Sequence, residues 1–313
     1  VLSDGEGVHI AGIMEHIEEA GIHSGDSACV MPPVTLSDAE RTVMIETTRA
    51  IAMRLKVVGL LNIQYAIQQG KVFVIEVNPR ASRTVPFVSK AIGKPLAKLG
   101  ALVMAGQTLE ELNFTKEIVP THFSVKEAVF PFVKFPGVDT LLGPEMKSTG
   151  EVMGLDSDFG RAFAKAQVEA GNSLPVSGSV LVSVRNEHHS EFVEPVRILV
   201  ESGFSVIATQ GTAATLAEHG ISAKVVKKTY EGSWHTVDEM ENGGVNLVFN
   251  TVAPDPRAIK DSFLMRRVAL QRQIPYCTTL PAARASAAAI LALRHKSIGV
   301  RALQEIHAHG AED

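Results

Sequence analysis

The stretch from Lys71 to Pro86, KVFVIEVNPRASRTVP, constrains the fold more than any other part of the chain. Its first residues are mostly β-branched or aromatic and follow a Gln-Gln-Gly turn, which predicts a strand. A second strand-like run over 58–67 precedes the turn, so the two runs predict a hairpin. If the loop closes around Gln69–Lys71, Gln64 lies opposite Glu76. Side chains alternate along a strand, so Asn78 shares the face of Glu76.

Three oxygen donors therefore converge from two otherwise apolar strands. Hard oxygen ligands without His or Cys suit Mg²⁺, which proteins usually hold through one or two carboxylates together with substrate phosphates. Arg80 and Arg83 follow just beyond the strand and suit the phosphates themselves. The alternative is a hairpin whose polar face is simply solvated.

The segment EVNPR, with a glutamine on the partner strand, resembles the metal and phosphate end of an ATP-grasp ligase. The longer string EVNPRASRTVPFVSKAIGKPLAKL resembles the large subunit of carbamoyl phosphate synthetase. This resemblance implies that Gln64, Glu76 and Asn78 bind Mg²⁺ or Mn²⁺, and that Gln64 and Glu76 also belong to the ATP site. It further implies a catalytic set of Arg80, Glu76 and Asn78, in which Arg80 contacts phosphate or carbamate.

Composition narrows the class of protein. The 313 residues are 45% hydrophobic and 20% charged, which is typical of a globular protein long enough for two cores. The 30 basic and 34 acidic residues give a net charge of −4 without a basic block, so nucleic acid and anionic membranes are not expected as obligate partners. Two cysteines form no disulfide framework, and we expect a cytoplasmic location. Because the chain opens at Val1, we expect a fragment of something larger.

A polar loop near the start is a second candidate site. The glycines and small hydroxyls of GIHSGDS allow a backbone to approach phosphate or a monovalent cation closely, although any surface turn could carry them. The string MEHIEEAGIHSGDSAC resembles the second ATP-grasp unit of the synthetase. The resemblance implies that Gly21, Ile22, His23 and Ser24 line the nucleotide. It also implies that His16 and Glu18 lie beside a potassium ion.

The next part of the chain carries helical and strand patterns. Ser37-Asp38-Ala39-Glu40 is a capping box and predicts a helix over 35–55. Another helix is predicted over 95–112, strands over 8–14 and 121–133, a helix over 158–169 and a linker over 171–178. Glu127, inside the second of these strands, is either a solvated edge residue or a functional carboxylate.

From residue 179 onward, strand-like and helix-like runs alternate regularly, which predicts a parallel sheet wrapped by helices. The predicted strands are 179–184, 204–208, 223–226, 246–251 and 276–279. The predicted helices are 191–201, 213–218, 236–241, 257–272 and 282–293. No GxGxxG follows a strand, so a dinucleotide site is not indicated.

In such folds ligands bind beyond the carboxyl ends of the strands. Hydroxyl, lysine and amide side chains lie there and form a plausible phosphate cradle with a helix N-terminus, although every α/β domain has polar loops at that rim. The segment resembles the methylglyoxal-synthase-like regulatory domain that ends the same synthetase, without the Gly-Gly-Asp segment of the lyase. The resemblance implies a nucleoside monophosphate site that is formed by Ser183, Thr209, Gly211, Thr212, Lys228 and Asn250.

Two positions depart from the family's usual pattern at this site. His189 stands where a phosphate-binding lysine is common, and Val252 where a threonine is common. Each change removes a donor, so we expect weaker uridylate binding and, because of His189, a stronger dependence on pH.

A cluster of acids suggests a cationic effector, for which ornithine is our prediction. Glu18, Asp26 and Glu127 come from distant sequence, and grouped carboxylates assemble favourably only around a cation. In the family, neutral donors come from the regulatory domain, where Tyr276 and Thr278 stand at the matching strand end. Cys277 occupies a position that is often aspartate in the family. The alternative is three separate solvated acids.

The whole resemblance predicts an α/β chain, with the C-terminal lobe of an ATP-grasp fold (a mixed or antiparallel sheet with helices) followed by a Rossmann-like parallel-sheet regulatory domain. The predicted boundaries are 1–105 for the ATP-grasp half, 106–170 for a connecting segment and 171–313 for the regulatory domain. The implied reaction is phosphorylation of carbamate by MgATP, with K⁺, in arginine and pyrimidine biosynthesis. The implied partners are a small glutaminase subunit and the N-terminal part of the large subunit, without which we expect the fragment to be inactive.

Two other functions remain possible from the residues. One is a non-catalytic nucleotide-binding regulatory module that retains the metal hairpin as a relic. The other is a different ATP-grasp ligase, such as a carboxylase, but residues 171–313 do not support a biotin enzyme.

Overall fold

The computed structural model describes residues 1–135 and 138–309, without the side chains of Val133 and His309. Part of the predicted connecting segment, Pro136 and Gly137, and the last four residues of the predicted regulatory domain lie outside the described residues. The chain divides into two compact units, and each is described by itself. Unit 1 comprises Val1–Glu15, Cys29–Ser124 and Val300–Asp313, and unit 2 comprises His16–Ala28 and Val125–Gly299.

Unit 1 is built from antiparallel strands and helices. Its strands are β1 (Leu2–Asp4), β2 (Val8–His9), β4 (Cys29–Met31), β5 (Val58–Leu60), β6 (Asn62–Gln68) and β7 (Lys71–Asn78). Its helices are α1 (Asp38–Arg54), α2 (Thr84–Ile92), α3 (Leu96–Met104) and α10 (Leu303–His309). β1, β2 and β5 form an antiparallel sheet in the order β2-β1-β5, and β6 and β7 form a separate hairpin. Two further strands, β3 (Glu15–His16) and β8 (Phe123–Val129), pass from one unit into the other.

Local chemistry explains where the helices of unit 1 begin and end. α1 starts at the predicted capping box, in which Ser37 and Glu40 satisfy each other's backbone amides. α3 is shorter than the predicted helix over 95–112. The amides of Gly106 and Gln107 donate to the carbonyls of Val103 and Leu102, which is a Schellman ending, and Gly106 takes the left-handed φ of 102° that this ending requires. The predicted strand over 8–14 is only two residues long.

Unit 2 contains the predicted parallel sheet. Its strands are β9 (Gly150–Asp156), β10 (Ser179–Ser183), β11 (Ser205–Thr209), β12 (Lys224–Val226), β13 (Leu247–Asn250) and β14 (Tyr276–Cys277). Its helices are α4 (Phe159–Glu169), α5 (Val193–Glu201), α6 (Gln210–Glu218), α7 (Thr236–Glu241), α8 (Pro256–Arg272) and α9 (Leu280–His295), with 3₁₀ turns at Phe132–Lys134 and Asn186–His188. Strands β10 to β14 pair in parallel in the order β12-β11-β10-β13-β14. The predicted α/β alternation is confirmed.

Helices cover both faces of this sheet. One apolar cluster packs α5, α6 and α9 against one face, and a second packs α7 and α8 against the other. Leu181 of β10 lies in the second cluster, whereas its neighbours Val180 and Val182 lie in the first, as strand alternation requires. This three-layer arrangement places the carboxyl ends of the strands at a common rim.

None of the helices within 1–135 and 138–309 is both long enough and apolar enough to cross a membrane.

Helix α4 packs against strand β9 so closely that their backbones are in contact at Gly154, and a substitution can test this contact. A Cβ added at Gly154 of β9 would collide with the carbonyl oxygen of Ala162 in α4 and lie 2.6 Å from the nitrogen of Ala166. Because both obstacles are backbone atoms, we expect Gly154→Ala to lower the free energy of unfolding by about 3 kcal/mol or more in urea unfolding. Gly150→Ala in the same strand is the control, since no described atom lies within 4 Å of its added Cβ. Equal effects of the two substitutions would contradict this packing.

Candidate functional site

The β6–β7 hairpin contains the predicted Gln64–Glu76 pair but reaches it differently. Gln68 already pairs with Lys71, and a β-bulge between Gln64 and Tyr65 shifts the register by one residue. Gln64 pairs with Glu76, and the amide nitrogen of the Asn78 side chain donates to Oε1 of Glu76 at 2.8 Å. The polar side chains therefore lie together on one face of the hairpin. The opposite face is held by Tyr65, whose hydroxyl hydrogen-bonds with the hydroxyl of Thr48 in α1 at 2.8 Å.

Asn62, which the sequence interpretation missed, pairs directly with Asn78. The signal was present, because Asn62 stands two residues before Gln64 and therefore on the same face. Glu76 is exposed, and Gln64 and Asn78 are half-buried. One carboxylate and several amide oxygens, open to solvent, fit a divalent cation that also takes phosphate oxygens and water as ligands.

The arginines lie at the end of β7. Arg80 is exposed, and its guanidinium donates to the carbonyl of Ala81 at 3.2 Å. Arg83 occupies the N-cap position of α2. Both therefore follow the metal-ligand candidates within a few residues, where phosphate oxygens bound to the cation would need positive charge.

The glycine-rich loop belongs to unit 2, so it is described apart from the hairpin. Gly21 has a left-handed φ of 101°. The backbone amide of His23 donates to the carbonyl of Gly143 at 2.8 Å, and Nδ1 of His23 accepts from the amide of Gly25 at 3.0 Å. The carbonyl of Ser24 accepts from Nζ of the fully buried Lys126 at 3.0 Å. Lys126 was not predicted as part of this site.

Two of the three predicted acids, Glu18 and Glu127, lie close together in a buried setting. Burial raises the pKa of Glu127 to about 8, with a further contribution from the charge of Glu18. Burial also raises the pKa of Glu18 to about 7, with a contribution from Glu19. The side-chain amide of Gln167 donates to Oε2 of Glu127 at 2.7 Å. Oε2 of Glu18 is buried and has no hydrogen-bond partner among the described residues.

An orphaned carboxylate oxygen beside a second acid fits a proton or a cation. The charge of Lys126 acts on His16. Burial, aided by that charge, lowers the pKa of His16 to about 4, so its ring is neutral at pH 7. Burial raises the pKa of Cys277 to about 12, and the charges of Glu18 and Glu127 contribute to this shift. The Cys277 thiol is therefore neutral as well and adds no charge to the pair.

Asp26, the third predicted acid, has a different set of partners. Its two oxygens accept hydrogen bonds from the backbone amides of Lys147 at 2.8 Å and Ser148 at 2.9 Å. Asp26 is buried, and it anchors a turn of the segment that follows residue 138. Sequence spacing could not indicate this role, because the partners are backbone groups more than a hundred residues away.

The predicted nucleotide residues meet at the rim of the parallel sheet. Thr209 ends β11 and does not cap α6, whose first turn contains Gly211 and Thr212. The hydroxyls of Thr209 and Thr212 are 3.3 Å apart. On the neighbouring strands, the side-chain nitrogen of Asn250 donates to the carbonyl of Ser183 at 2.6 Å. Hydroxyls and a helix N-terminus at one rim are suited to phosphate.

His189, at the position where a lysine is common in the family, lies against α6. Its Nε2 is 3.1 Å from the carbonyl of Val184 and 3.4 Å from the Thr212 hydroxyl. A Cβ added at Gly211 would lie 3.2 Å from the His189 ring. The imidazole therefore fills space beside the first turn of α6.

Lys228 lies next to a cavity that the sequence interpretation did not predict. Its Nζ is 5.9 Å from the centre of the Tyr230 ring, and the guanidinium of Arg257 is 5.4 Å from the same ring. The cavity has a volume of about 410 Å³. It is lined by Thr229, Tyr230, His235, Val237, Arg257, Lys260 and Leu264. An aromatic ring with several cations suits an anionic, partly aromatic ligand.

The Tyr276 side chain is hydrogen-bonded at the rim of the parallel sheet. Its hydroxyl donates to Oδ1 of Asn250 at 2.6 Å and lies 3.3 Å from the Ser262 hydroxyl. Tyr276 packs with the apolar cluster under α7 and α8, whereas Cys277 packs with the other cluster. Thr278 is half-buried. The structure thus brings Tyr276 to the nucleotide residue Asn250.

In the part of the chain that the structure describes, no group of three or more His, Cys, Asp and Glu side chains is placed to hold a metal ion. The hairpin differs from such a site because two of its three predicted ligands are amides.

Comparison with known proteins gives two family matches. Residues 1–112 match the model of the carbamoyl-phosphate synthase L chain, ATP binding domain, and residues 191–278 match the MGS-like domain. The two matched models thus follow one another along the chain, with the ATP binding domain model first and the MGS-like domain model second.

Relatives that match almost the whole of this chain are named carbamoyl phosphate synthase large chain. Those of Neisseria meningitidis serogroup A and Archaeoglobus fulgidus are each 50% identical, over 306 and 307 residues. The relative from Synechocystis sp. is 52% identical over 306 residues. These alignments cover 97% or 98% of this chain but only 28% of each relative. The predicted resemblance to the C-terminal part of carbamoyl phosphate synthase large chains is confirmed.

A solved biotin carboxylase domain of a single-chain bacterial carboxylase overlaps more loosely. It shares 18% sequence identity with this chain at a TM-score of 0.41. The match covers 53% of this chain and 44% of that domain.

The paired acids make stability depend on pH. Glu18 and Glu127 have folded-state pKa values above that of an unfolded glutamate, so the folded chain binds more protons from about pH 4.5 to pH 8. Stability is therefore highest near the lower end and falls as pH rises, by up to roughly 1.4 kcal/mol per pH unit for each extra proton.

We expect Glu127→Gln, which keeps the shape and removes the titrating group, to flatten this dependence between pH 5 and pH 8. Urea unfolding at several pH values measures it. The exposed Glu194→Gln serves as the control and should follow wild type. A Glu127→Gln curve parallel to wild type would contradict the buried pair.

Proposed function

We propose that the chain is part of a carbamoyl phosphate synthase large chain that phosphorylates carbamate with MgATP, giving carbamoyl phosphate and ADP. The chain spans 28% of the length of the curated relatives, so this activity belongs to the complete protein. The observation that carries the proposal is the register of the hairpin. It places Gln64 opposite Glu76, with Asn78 hydrogen-bonded to that carboxylate.

Phosphoryl transfer requires positioning and charge neutralisation more than covalent chemistry. Gln64, Glu76 and Asn78 would hold Mg²⁺ or Mn²⁺, which offsets charge on the terminal phosphates as the bond breaks. Arg80 is exposed at the end of the same strand and would hold the acceptor or the transferring group through charge-assisted hydrogen bonds.

The loop at Gly21, Ile22, His23 and Ser24 would line the nucleotide. Its geometry supports this, since Gly21 adopts a left-handed backbone and the carbonyl of Ser24 is held by Lys126. Potassium would lie near His16 and Glu18, where a neutral ring and an orphaned carboxylate oxygen are available.

The complete enzyme would work with a small glutaminase subunit and with the preceding part of the large chain. It would supply arginine and pyrimidine biosynthesis in the cytoplasm.

The metal assignment can be tested in the complete protein. Glu76→Gln removes the charge of the only carboxylate in the ligand set at nearly constant shape. We expect the formation of ATP from carbamoyl phosphate and ADP to fall about a hundredfold or more. Glu110→Gln, the same change at another exposed glutamate of unit 1, should leave the rate unchanged. If Glu76→Gln ran at the wild-type rate, the hairpin would be a relic in a nucleotide-binding regulatory module.

The rim of the parallel sheet would bind a nucleoside monophosphate effector. Thr209, Gly211 and Thr212 would take the phosphate at the start of α6, with Ser183 and Asn250 beside them. Lys228 would add positive charge. The cavity beside Lys228, of about 410 Å³, would take the base and ribose of the nucleotide. Tyr230 and Arg257 line this cavity and could stack on the base.

Calorimetry with uridylate and inosinate tests this site. We expect Lys228→Ala to weaken binding about tenfold, because a charge-assisted hydrogen bond is lost. Lys296→Ala, an exposed lysine at the end of α9, is the matched control and should bind as wild type does. Absence of binding to wild type at millimolar nucleotide would refute the site.

A cationic effector, for which ornithine is our proposal, would bind at Glu18 and Glu127. The buried pair supports this, because a bound cation would replace the protons that the two acids hold at neutral pH. Tyr276 and Thr278 remain proposed neutral donors, although the Tyr276 hydroxyl is already bonded to Asn250. Asp26 is occupied by two backbone amides, so its contribution would be to hold the loop.

Ornithine binding to wild type and to Glu127→Ala, measured at pH 6.5 and pH 8, tests this proposal. We expect wild-type affinity to rise with pH, because fewer protons need to be released, and Glu127→Ala to bind at least about tenfold more weakly. Equal affinity of the two proteins would refute it.

A further inference from the structure

We propose that the ion pair between Arg266 and Asp139 is a positioning device that transmits occupancy of the nucleotide site to the loop at residues 21–27. The inference rests on the proposed function, from which it takes both sites. It concerns a chain of hydrogen bonds that lies entirely within unit 2.

The chain starts at Asn250, on the rim of the sheet. The side-chain nitrogen of Asn250 donates to the carbonyl of Ser183 at 2.6 Å, and its oxygen accepts from Ser262 and Tyr276, each at 2.6 Å. Asn250 and Ser262 are almost completely buried. The Asn250 nitrogen has two N–H groups, and the Ser183 carbonyl takes one of them. A ligand oxygen that accepts from the other therefore binds the same buried amide whose oxygen holds Ser262 and Tyr276.

The second link joins Ser262 to the segment over 138–148. Nη1 of Arg266 donates to the Ser262 hydroxyl at 2.6 Å, while Nε and Nη2 donate to the two oxygens of Asp139, each at 2.7 Å. The Arg266 side chain is only 4% exposed and that of Asp139 is 35% exposed. A buried guanidinium needs both partners, so movement of Ser262 changes the position of Arg266 and with it that of Asp139.

The third link joins the segment over 138–148 to the glycine-rich loop. Nζ of Lys147 donates to the carbonyl of Leu141 at 2.7 Å, which holds the segment as one turn. The carbonyl of Gly143 accepts from the amide of His23 at 2.8 Å. The carboxylate of Asp26 accepts from the amides of Lys147 and Ser148, and the Ser148 hydroxyl donates to the carbonyl of Gly25 at 3.2 Å.

The contacts are hydrogen bonds of 2.6 to 3.2 Å. Those at Asn250, Ser262 and Ser148 include buried ones, whereas the contact between Lys147 and Leu141 is exposed. Buried polar groups that lose one partner must find another, so such a chain has few arrangements and shifts as a unit. A ligand that binds one arrangement better than another shifts the populations of both ends. The experiment measures the energetic coupling between the two sites directly.

The test uses the complete large chain with its small subunit, as wild type and as Asp139→Asn. Asparagine keeps one acceptor for Arg266 but removes the charge. Because the side chain at position 139 is partly exposed, we expect the variant to fold. Glu194→Gln breaks an exposed ion pair with Arg284 in the same unit and is the matched control. Two quantities are measured for each protein: the ratio of uridylate dissociation constants with and without MgATP, and hydrogen–deuterium exchange of the amides at 21–27.

We expect Asp139→Asn to bind uridylate within about twofold of wild type without MgATP and to change the ratio about fivefold towards one. We also expect its amides at 21–27 to exchange about tenfold faster, with Glu194→Gln matching wild type in both respects.

An unchanged ratio and unchanged exchange in Asp139→Asn would overturn the inference. Failure of wild type to bind uridylate would instead overturn the proposed effector site. In that case hydrogen–deuterium exchange alone tests the link between the Arg266–Asp139 ion pair and the loop. Faster amide exchange at 21–27 in Asp139→Asn supports the link, and exchange at the wild-type rate refutes it. Arg266→Lys, which keeps the charge but cannot form both bonds to Asp139, repeats the exchange measurement and should act in the same direction.

Discussion

The close contact of helix α4 with strand β9 is the constraint on which most of unit 2 depends. Gly154 and Gly160 allow backbone contact: an added Cβ at Gly160 would lie 2.6 Å from the carbonyl oxygen of Ala288 in α9. Asp156 of β9 reinforces the contact by accepting hydrogen bonds from Arg161 at 2.9 and 2.7 Å and pairing with Lys165 at 2.8 Å. Close-packed backbones tolerate little adjustment, so α4 fixes β9 and α9 relative to each other.

The same helix determines the orientation of a carboxylate. Gln167 lies in the last turns of α4 and donates to Glu127 of β8 at 2.7 Å. Glu127 is buried beside Glu18, so a small displacement of α4 would leave it without its neutral donor. Gly154 and Gly160 therefore help to position the donor of Glu127, although these glycines are distant from Glu18 and Glu127 in sequence. This dependence explains how a packing detail can control a charge-binding site.

The features that could be predicted from the sequence are those that follow from local periodicity. The parallel sheet follows from regular alternation of strands and helices. The pairing of Gln64 with Glu76 is predicted correctly, but it depends on a β-bulge between Gln64 and Tyr65 that alternation alone does not indicate. The partners of Asp26 and Tyr276 could not be predicted in this way. Asp26 binds amides about 120 residues away, and Tyr276 bonds to Asn250 on the neighbouring strand β13. Such contacts depend on how elements pack, which no periodicity records.

The two kinds of acidic site illustrate why residue type alone does not define chemistry. Glu76 is exposed and lies among amides, an arrangement in which a carboxylate suits a hydrated divalent cation with phosphate. Glu127 is buried, and Glu18 is half-buried with one shielded oxygen. Burial raises the pKa of Glu18 to about 7 and that of Glu127 to about 8, so both hold a proton at neutral pH more readily than an exposed glutamate does. A cation that binds a protonated carboxyl pair must displace its protons. The same amino acid thus has different proton affinities in the two units, because the surrounding dielectric decides which form of the carboxyl group is stable.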